Sequence, residues 1–337
     1  MTSRQSHERS PWEPDVLPGY WQQTIALGRD PDGEGDLVAT VVRRGEPGPS
    51  EHAVLAVHGY TDYFFQTEVA DRLADRGFAF YAIDLHKCGR SRRTGQTAHF
   101  TTDLASYDDE LLAALRLIQA DTDGARLCLY GHSAGGLISA LFADRLRDRP
   151  TGPRLHGLIL NSPFFDLRGP AVLRSAPVSA VLRAMSKVSK FTVIRPPTEG
   201  GYGTSLHRDH GGEFDYNLDW KPLGGFPVTA GWINAIRRGH AQLHRGLDVG
   251  IPSLILRSSH TVGENLAEMA RGDAVLDVTQ IARWAGCVGG RTHIVPIADA
   301  KHDVFLSLPA PRAAAFAALD AWLDEYLRTH SPTTQSG

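Results

Sequence analysis

The stretch Leu127-Cys128-Leu129-Tyr130-Gly131-His132-Ser133-Ala134-Gly135-Gly136 constrains the fold of this chain more than any other. An apolar run of strand character leads into Gly131, and beyond Ala134 the residues Leu137, Ile138, Leu141, Phe142 and Leu146 recur at helical spacing. The pattern predicts strand, sharp turn and helix, with Ser133 at the apex. A turn this tight strains the serine backbone and crowds strand against helix, so small residues are needed two positions before and after it. Gly131 and Gly135 meet that need. The hydroxyl is then lifted above the C-terminal edge of a sheet, and the next backbone N–H, that of Ala134, points at whatever is attached to it.

Composition narrows the partners. The chain has 337 residues, is 42% hydrophobic and 22% charged, and carries a formal net charge of −3 without any basic tract, which argues against nucleic acid. Cys88, Cys128 and Cys287 are widely spaced, with no C-x-x-C pair, and suggest neither a disulfide framework nor a zinc site. No metal and no cofactor are expected. The polar N-terminus has no apolar export core, and no run reaches membrane-spanning length, so a cytoplasmic protein without an integral membrane segment is expected.

Residues 1–20 are polar, proline-punctuated and expected to form a flexible or surface-draped arm. Two β-rich runs, 21–27 and 37–42, flank the turn-like Asp30-Pro-Asp-Gly-Glu-Gly35 and predict an antiparallel hairpin. Strands and helices then alternate: strand 53–57, helix 69–76, strand 78–83, helix 104–120, strand 127–130, strand 155–160. Such units build an α/β fold around a mostly parallel sheet with helices on both faces, and ligands bind beyond the strands' C-terminal ends. The rhythm breaks over residues 164–250, where helices 171–188 and 229–246 enclose a Gly/Pro-rich middle, 195–225. This predicts an inserted helical cap dividing the core into 21–163 and 251–329. The second part holds strand 253–257, an irregular segment to Gly272, helix 278–285, strand 292–297 and helix 312–327. A polar tail, 330–337, ends the chain.

A serine hydroxyl needs a general base, and the base a carboxylate to fix its tautomer. In a fold with this elbow they follow in the order serine, acid, histidine. Of 15 histidines, His302 stands in the short loop between the last core strand and the closing helix, over the C-terminal edge. The acid is expected after strand 253–257, where the loop contains Glu264, Glu268, Asp273 and Asp277. Asp273 is favoured, because Asp277 suits the N-cap of the helix starting at Val278. Asp277 remains an alternative, as does Asp166 after the strand before the cap. An oxyanion needs two donors: the N–H of Ala134, and that of Tyr60 in the turn His58-Gly59-Tyr60-Thr61-Asp62 after strand 53–57, where His58 supports the loop.

The His58-Gly59 turn, Asp84-Leu-His-Lys-Cys-Gly-Arg-Ser91, the elbow, Asp273-Ala-Val-Leu-Asp277 and Ala300-Lys-His302-Asp303 together resemble the monoacylglycerol lipase and lysophospholipase-like branch of the α/β-hydrolases. The likeness covers about residues 54–327 without the cap. It implies a nucleophile at Ser133, an acid at Asp273, a base at His302 and oxyanion donors at Tyr60 and Ala134. Two departures stand out: His86 and Lys87 replace an Arg-Gly pair in the Asp84 motif, and residues 258–272 look like an insertion.

Other features weigh less. His240 and His244 share a helix face as metal pairs do, but no glutamate or third ligand accompanies them, and they are expected to be polar cap residues. Phe164, Phe165, Tyr202, Trp220, Phe226 and Trp232 are expected to pack the cap and line a cavity beneath it. Gly200-Gly-Tyr-Gly203 lacks the following helix and Lys-Ser/Thr of a phosphate cradle. The expected function is a cofactor-independent serine hydrolase of small carboxylic esters, lipid-like monoesters foremost. Lactones, thioesters and short peptides suit the same chemistry. Epoxide and haloalkane reactions, which need an aspartate at Ser133, are disfavoured, and a slow ligand-binding sensor on the same frame is the alternative from another class.

Overall fold

The computed structural model describes residues 9–263 and 265–330, so the start of the arm, Glu264 and the tail from 331 lie outside the described residues. In chain order the elements are β1 (Glu13–Pro14), β2 (Tyr20–Arg29), β3 (Asp36–Arg44), β4 (His52–Val57), α1 (Thr67–Asp75), β5 (Phe78–Asp84), α2 (Asp108–Asp121), β6 (Arg126–His132), α3 (Ala134–Arg147) and β7 (Leu155–Asn161). The segment between β7 and β10, expected to be an insertion, adds α4 (Ala176–Val188), β8 (Val193–Arg195), β9 (Val228–Thr229) and α5 (Ala230–Leu243). The chain closes with β10 (Ser253–Ser258), α6 (Leu266–Met269), α7 (Val278–Ala285), β11 (Thr292–Ile297) and α8 (Pro309–His330).

Nine strands form the large sheet in the order β1-β2-β3-β5-β4-β6-β7-β10-β11. The pairs β1–β2, β2–β3 and β3–β5 are antiparallel and every pair from β5 to β11 is parallel. β4 and β6 are fully apolar in their middle because both faces are covered. One apolar layer packs Leu111, Leu115, Leu137 and Ile236 on one face; the other packs Val69, Leu73, Leu319 and Leu323 on the opposite face. The strand order reverses around β4, and its register sets Val57 opposite Gly131. The loops after β4 and β6 therefore leave the sheet side by side, at a switch point where such folds hold ligands.

Differences from the sequence expectation are local. The predicted helix 171–188 starts as a 3₁₀ turn, Ala171–Arg174, and becomes α4 only after Ser175, since Pro177 lacks an N–H and suits the first turn of a new helix. Helix 104–120 likewise opens with a 3₁₀ turn, Leu104–Tyr107. The short pairs β1–β2 and β8–β9 went unpredicted, because two or three residues carry no periodicity. The described part of the arm is fastened as well as draped: beyond β1, Asp15 accepts from Arg90 Nε at 2.6 Å and Nη2 at 2.8 Å.

The hairpin turn between β2 and β3 reaches across the edge of the sheet. Asp30 accepts from the N–H groups of Asp32 and Glu34, which shapes the turn. Buried Lys87 places its ammonium 2.7 Å from both Asp30 and Glu34, and Lys190 of the insertion lies 2.9 Å from Asp32.

The far side of the insertion is bolted down by α5. His240 and His244 donate from Nε2 to the carbonyls of Phe164 and Phe165, each at 2.8 Å. The His244 ring also stacks on Trp284 at 3.6 Å. His240 is 4% exposed, so this polar residue is an interior clasp. Burial pushes its pKa down to about 4, against the opposing pull of Asp166 and the Phe164 carbonyl. Burial depresses His99 and His132 in the same direction. An unfolded histidine titrates near 6.5, so between that pH and about 4 the unfolded chain binds the extra proton and stability falls as pH falls. His240→Gln should flatten that acid loss by about 2 kcal/mol between pH 7 and pH 5. Urea titrations of both proteins at pH 7 and pH 5 would check it; equal losses would refute it.

Candidate active site

Ser133 sits between β6 and α3 at φ 53° and ψ −118°, a conformation strained for any residue with a side chain. Its surroundings hold it there. The Ser133 N–H donates to the Asn161 carbonyl at 3.0 Å, and its own carbonyl accepts from Gly136 and Phe164, both at 2.9 Å. A Cβ on Gly131 would come within 2.6 Å of the Gly135 carbonyl oxygen, and one on Gly135 would collide with the carbonyl oxygens of Val57 and His58. Across the switch point a Cβ on Gly59 would stand 3.0 Å from that of Ser133. The serine is half-buried, and among the described residues its hydroxyl has no hydrogen-bond partner.

His302 is 3% exposed and its Nδ1 lies 2.9 Å from Asp273 Oδ2. Its ring is 4.9 Å from that of His132, the residue before the serine, which sets the imidazole over the elbow. Asp273 is fully buried, and its other oxygen accepts from the N–H groups of Val275 and Leu276 at 2.8 and 2.7 Å. Three donors on one carboxylate fix its direction. The other carboxylates are engaged elsewhere. Asp277 caps α7 through the Thr279 N–H at 2.9 Å, Asp166 accepts from Trp284 Nε1 at 3.2 Å, and Glu268 accepts from the Gly263 N–H at 3.1 Å. The serine–imidazole bond is not formed; such bonds are often long in free enzymes and tighten with substrate.

The turn after β4 faces the elbow. His58 donates from Nδ1 to the Gly59 carbonyl at 2.7 Å and accepts at Nε2 from the Leu85 N–H at 3.1 Å, so both ring nitrogens brace the loop. Neither the Tyr60 N–H nor the Ala134 N–H donates to a protein acceptor among the described residues. The Tyr60 ring lies 4.0 Å from Trp232 of α5, which in turn lies 6.4 Å from Phe164. These three make an aromatic wall starting at the residue that hydrogen-bonds the serine backbone. Tyr202 and Phe226 also lie near the site: Tyr202 edges on His302 at 5.7 Å, and Phe226 stacks near His99 at 5.4 Å. Trp220 instead packs on Tyr63 and Phe165 is fully buried.

Metal coordination fits poorly. Among the described residues the one candidate cluster is His58, Cys88 and His99, with ligand atoms within 4.8 Å of one another. Both His58 nitrogens are committed to backbone groups, and burial pushes the Cys88 thiol well up, which opposes the thiolate a metal needs.

Sequence reasoning missed Asn161. Its backbone carbonyl accepts from Ser133, while its side chain donates to Asp303 Oδ1 at 2.7 Å and accepts from the Val304 N–H at 3.2 Å. One buried amide therefore ties the elbow to the loop bearing His302. The only signal was its place at the end of β7, beside the elbow strand.

A mostly parallel sheet turning through a strained serine into a helix, with an imidazole–carboxylate pair delivered from its last two loops, makes this chain an α/β-hydrolase. It belongs to the hydrolase family described as serine aminopeptidase, S33, whose model matches residues 48–265. No curated protein matches it by sequence. Solved structures share the fold. A soluble variant of monoglyceride lipase from Saccharomyces cerevisiae, in complex with a substrate analog, is 16% identical, with 94% of each chain covered and a TM-score of 0.60. Monoacylglycerol lipase of Paleococcus ferrophilus is 17% identical over 86% of this chain and 99% of its own, with a TM-score of 0.59. A thermostable carboxyl esterase from Bacillus coagulans, in complex with glycerol, is 13% identical over 91% and 99%, with a TM-score of 0.59.

Asn161→Ala leaves the Val304 N–H without its side-chain acceptor and Asp303 Oδ1 with only the Phe305 N–H, and should cost about 2–3 kcal/mol of stability. Hydrolase turnover should fall with it. Denaturant unfolding and an initial-rate assay would read both; a change under 0.5 kcal/mol at full activity would contradict the role.

Proposed function

We propose that the chain hydrolyses carboxylic esters through an acyl-enzyme on Ser133, with His302 as general base and Asp273 as its orienting acid. The observation that carries this is the buried His302–Asp273 pair, 2.9 Å apart, held over a strained serine elbow. Asp273 accepts the Nδ1–H of His302, leaving Nε2 as the acceptor. Ser133 Oγ attacks the carbonyl carbon as its proton passes to Nε2. The charge that develops on the carbonyl oxygen is met by the Tyr60 and Ala134 N–H groups, which have no protein acceptor among the described residues. The tetrahedral intermediate collapses with loss of the alcohol, which takes the proton from the imidazolium. Water, deprotonated by the same imidazole, then attacks the acyl carbon and releases the acid and the serine.

The wall of Tyr60, Trp232 and Phe164 favours esters with an apolar acyl or alcohol part, lipid-like monoesters among them. The inserted segment acts as a cap over the serine in this reading. The monoglyceride lipase and carboxyl esterase neighbours share the fold and accord with it. Lactones and thioesters present the same acyl carbon to the same groups. No helix among the described residues is long and apolar enough to cross a membrane, and the three cysteines are unpaired thiols, which suits the cytoplasm.

Ser133→Ala should lower turnover of p-nitrophenyl esters by at least about 10³-fold while unfolding at the parent's denaturant midpoint. Asp273→Asn should lower kcat by roughly 10⁴-fold, since an amide no longer selects the tautomer. A panel of p-nitrophenyl esters of rising acyl length, with fluorophosphonate labelling of Ser133, tests both. Turnover retained in Ser133→Ala would end the proposal.

A further inference from the structure

The turn that supplies the Tyr60 N–H is braced on the core at His58, but its side chains from Tyr60 onward are held from outside the sheet. Thr61, at its centre, takes φ 53° without being glycine, so the turn needs external restraint. All three side chains from Tyr60 to Asp62 find their hydrogen bonds in residues 221–227 of the insertion. The Tyr60 hydroxyl donates to the Pro227 carbonyl at 2.6 Å, and Thr61 Oγ1 accepts from the Phe226 N–H at 3.0 Å. Lys221 donates from Nζ to Asp62 Oδ1 at 2.8 Å and to the Thr61 carbonyl at 3.4 Å.

The Lys221 contact is the strongest of these. Lys221 is 7% exposed and Asp62 2%, so the ion pair lies out of water between the insertion and the turn. Burial alone would push the Asp62 carboxyl up, but Lys221, with lesser help from His132 and His58, brings it below its ordinary value. Its second oxygen has no hydrogen-bond partner among the described residues. Around the pair, Tyr63 and Phe65 of the turn's continuation pack with Leu206 and Tyr216 of the insertion and with Leu306 beyond His302.

We propose that Lys221 is a positioning residue for the reaction: by clamping Asp62 and the Thr61 carbonyl, it sets the direction of the Tyr60 N–H, so the oxyanion site is complete only with residues 221–227 seated. This rests on the ester-hydrolase proposal above. A purely structural ion pair would affect folding alone. A positioning residue affects the transition state more than the bound substrate.

Three variants separate these roles: Lys221→Met, Lys221→Arg, and the double variant Lys221→Met/Asp62→Leu, which leaves no buried charge unpaired. Loss of one oxyanion donor typically lowers kcat by about 10²–10³-fold. Lys221→Met should lower kcat for p-nitrophenyl butyrate by at least about 30-fold, with KM within about threefold of the parent. An alkyl trifluoromethyl ketone, which forms a serine hemiketal oxyanion, should lose affinity in the same proportion as kcat/KM. Lys221→Arg should restore most of kcat. The double variant should regain the parent's melting temperature and keep the low kcat. Parental kcat in Lys221→Met or in the double variant overturns the inference, as does a lowered kcat with unchanged ketone inhibition. A parent that neither turns over esters nor labels at Ser133 overturns the ester proposal and this inference with it.

Discussion

The close approach of β4, β6 and α3 around Ser133 is the constraint on which the rest of the site depends. Hard contacts at Gly59, Gly131 and Gly135 leave no room for a Cβ, and the carbonyl of Asn161 catches the serine N–H as the strand gives way to the helix. A positive φ at a serine is unfavourable in isolation. Packing on three sides over-determines it here, and the reward is a hydroxyl raised from a rigid floor rather than carried on a loop. Each remaining part of the site is a loop brought to that fixed point.

Those loops are fastened chiefly by buried polar pairs. Arg90 joins Asp84 at 2.9 Å to Asp15 at 2.6 Å, so the N-terminal segment, β5 and the loop after it share one guanidinium. His86 and Lys87, which stand where the related branch carries Arg-Gly, each have dedicated partners. His86 Nδ1 lies 2.7 Å from Glu110, and Lys87 bridges Asp30 and Glu34. Buried pairs add little net stability over apolar packing, but removing one member is costly, so they select a single arrangement of loops.

Much of this was legible in the sequence because it is local. The strand–serine–helix stretch carries its own glycines, the alternation of strands and helices implies the parallel sheet, and the place of His302 before the closing helix follows from chain order. Asp273 was separable from Asp277 by capping chemistry, and the structure pairs the former with His302 and the latter with the Thr279 N–H. What escaped is non-local. Asn161 and Lys221 are ordinary polar residues in sequence, and their importance comes from partners more than a hundred residues away, Asp303 and Asp62. His240 and His244 were expected as polar cap residues, but their carbonyl partners, Phe164 and Phe165, were hidden because a helical face reveals its burial only once its neighbour is known.

The β2–β3 turn links the first strands to the segment between β7 and β10 through Asp32 and Lys190, and to the loop after β5 through Asp30, Glu34 and Lys87. The inserted region is therefore not a self-contained cassette. A chimera that borrows another hydrolase's lid to change selectivity would inherit a foreign underside facing this hairpin. The two stretches form one exchangeable module, although more than a hundred residues of unrelated core lie between them in the chain.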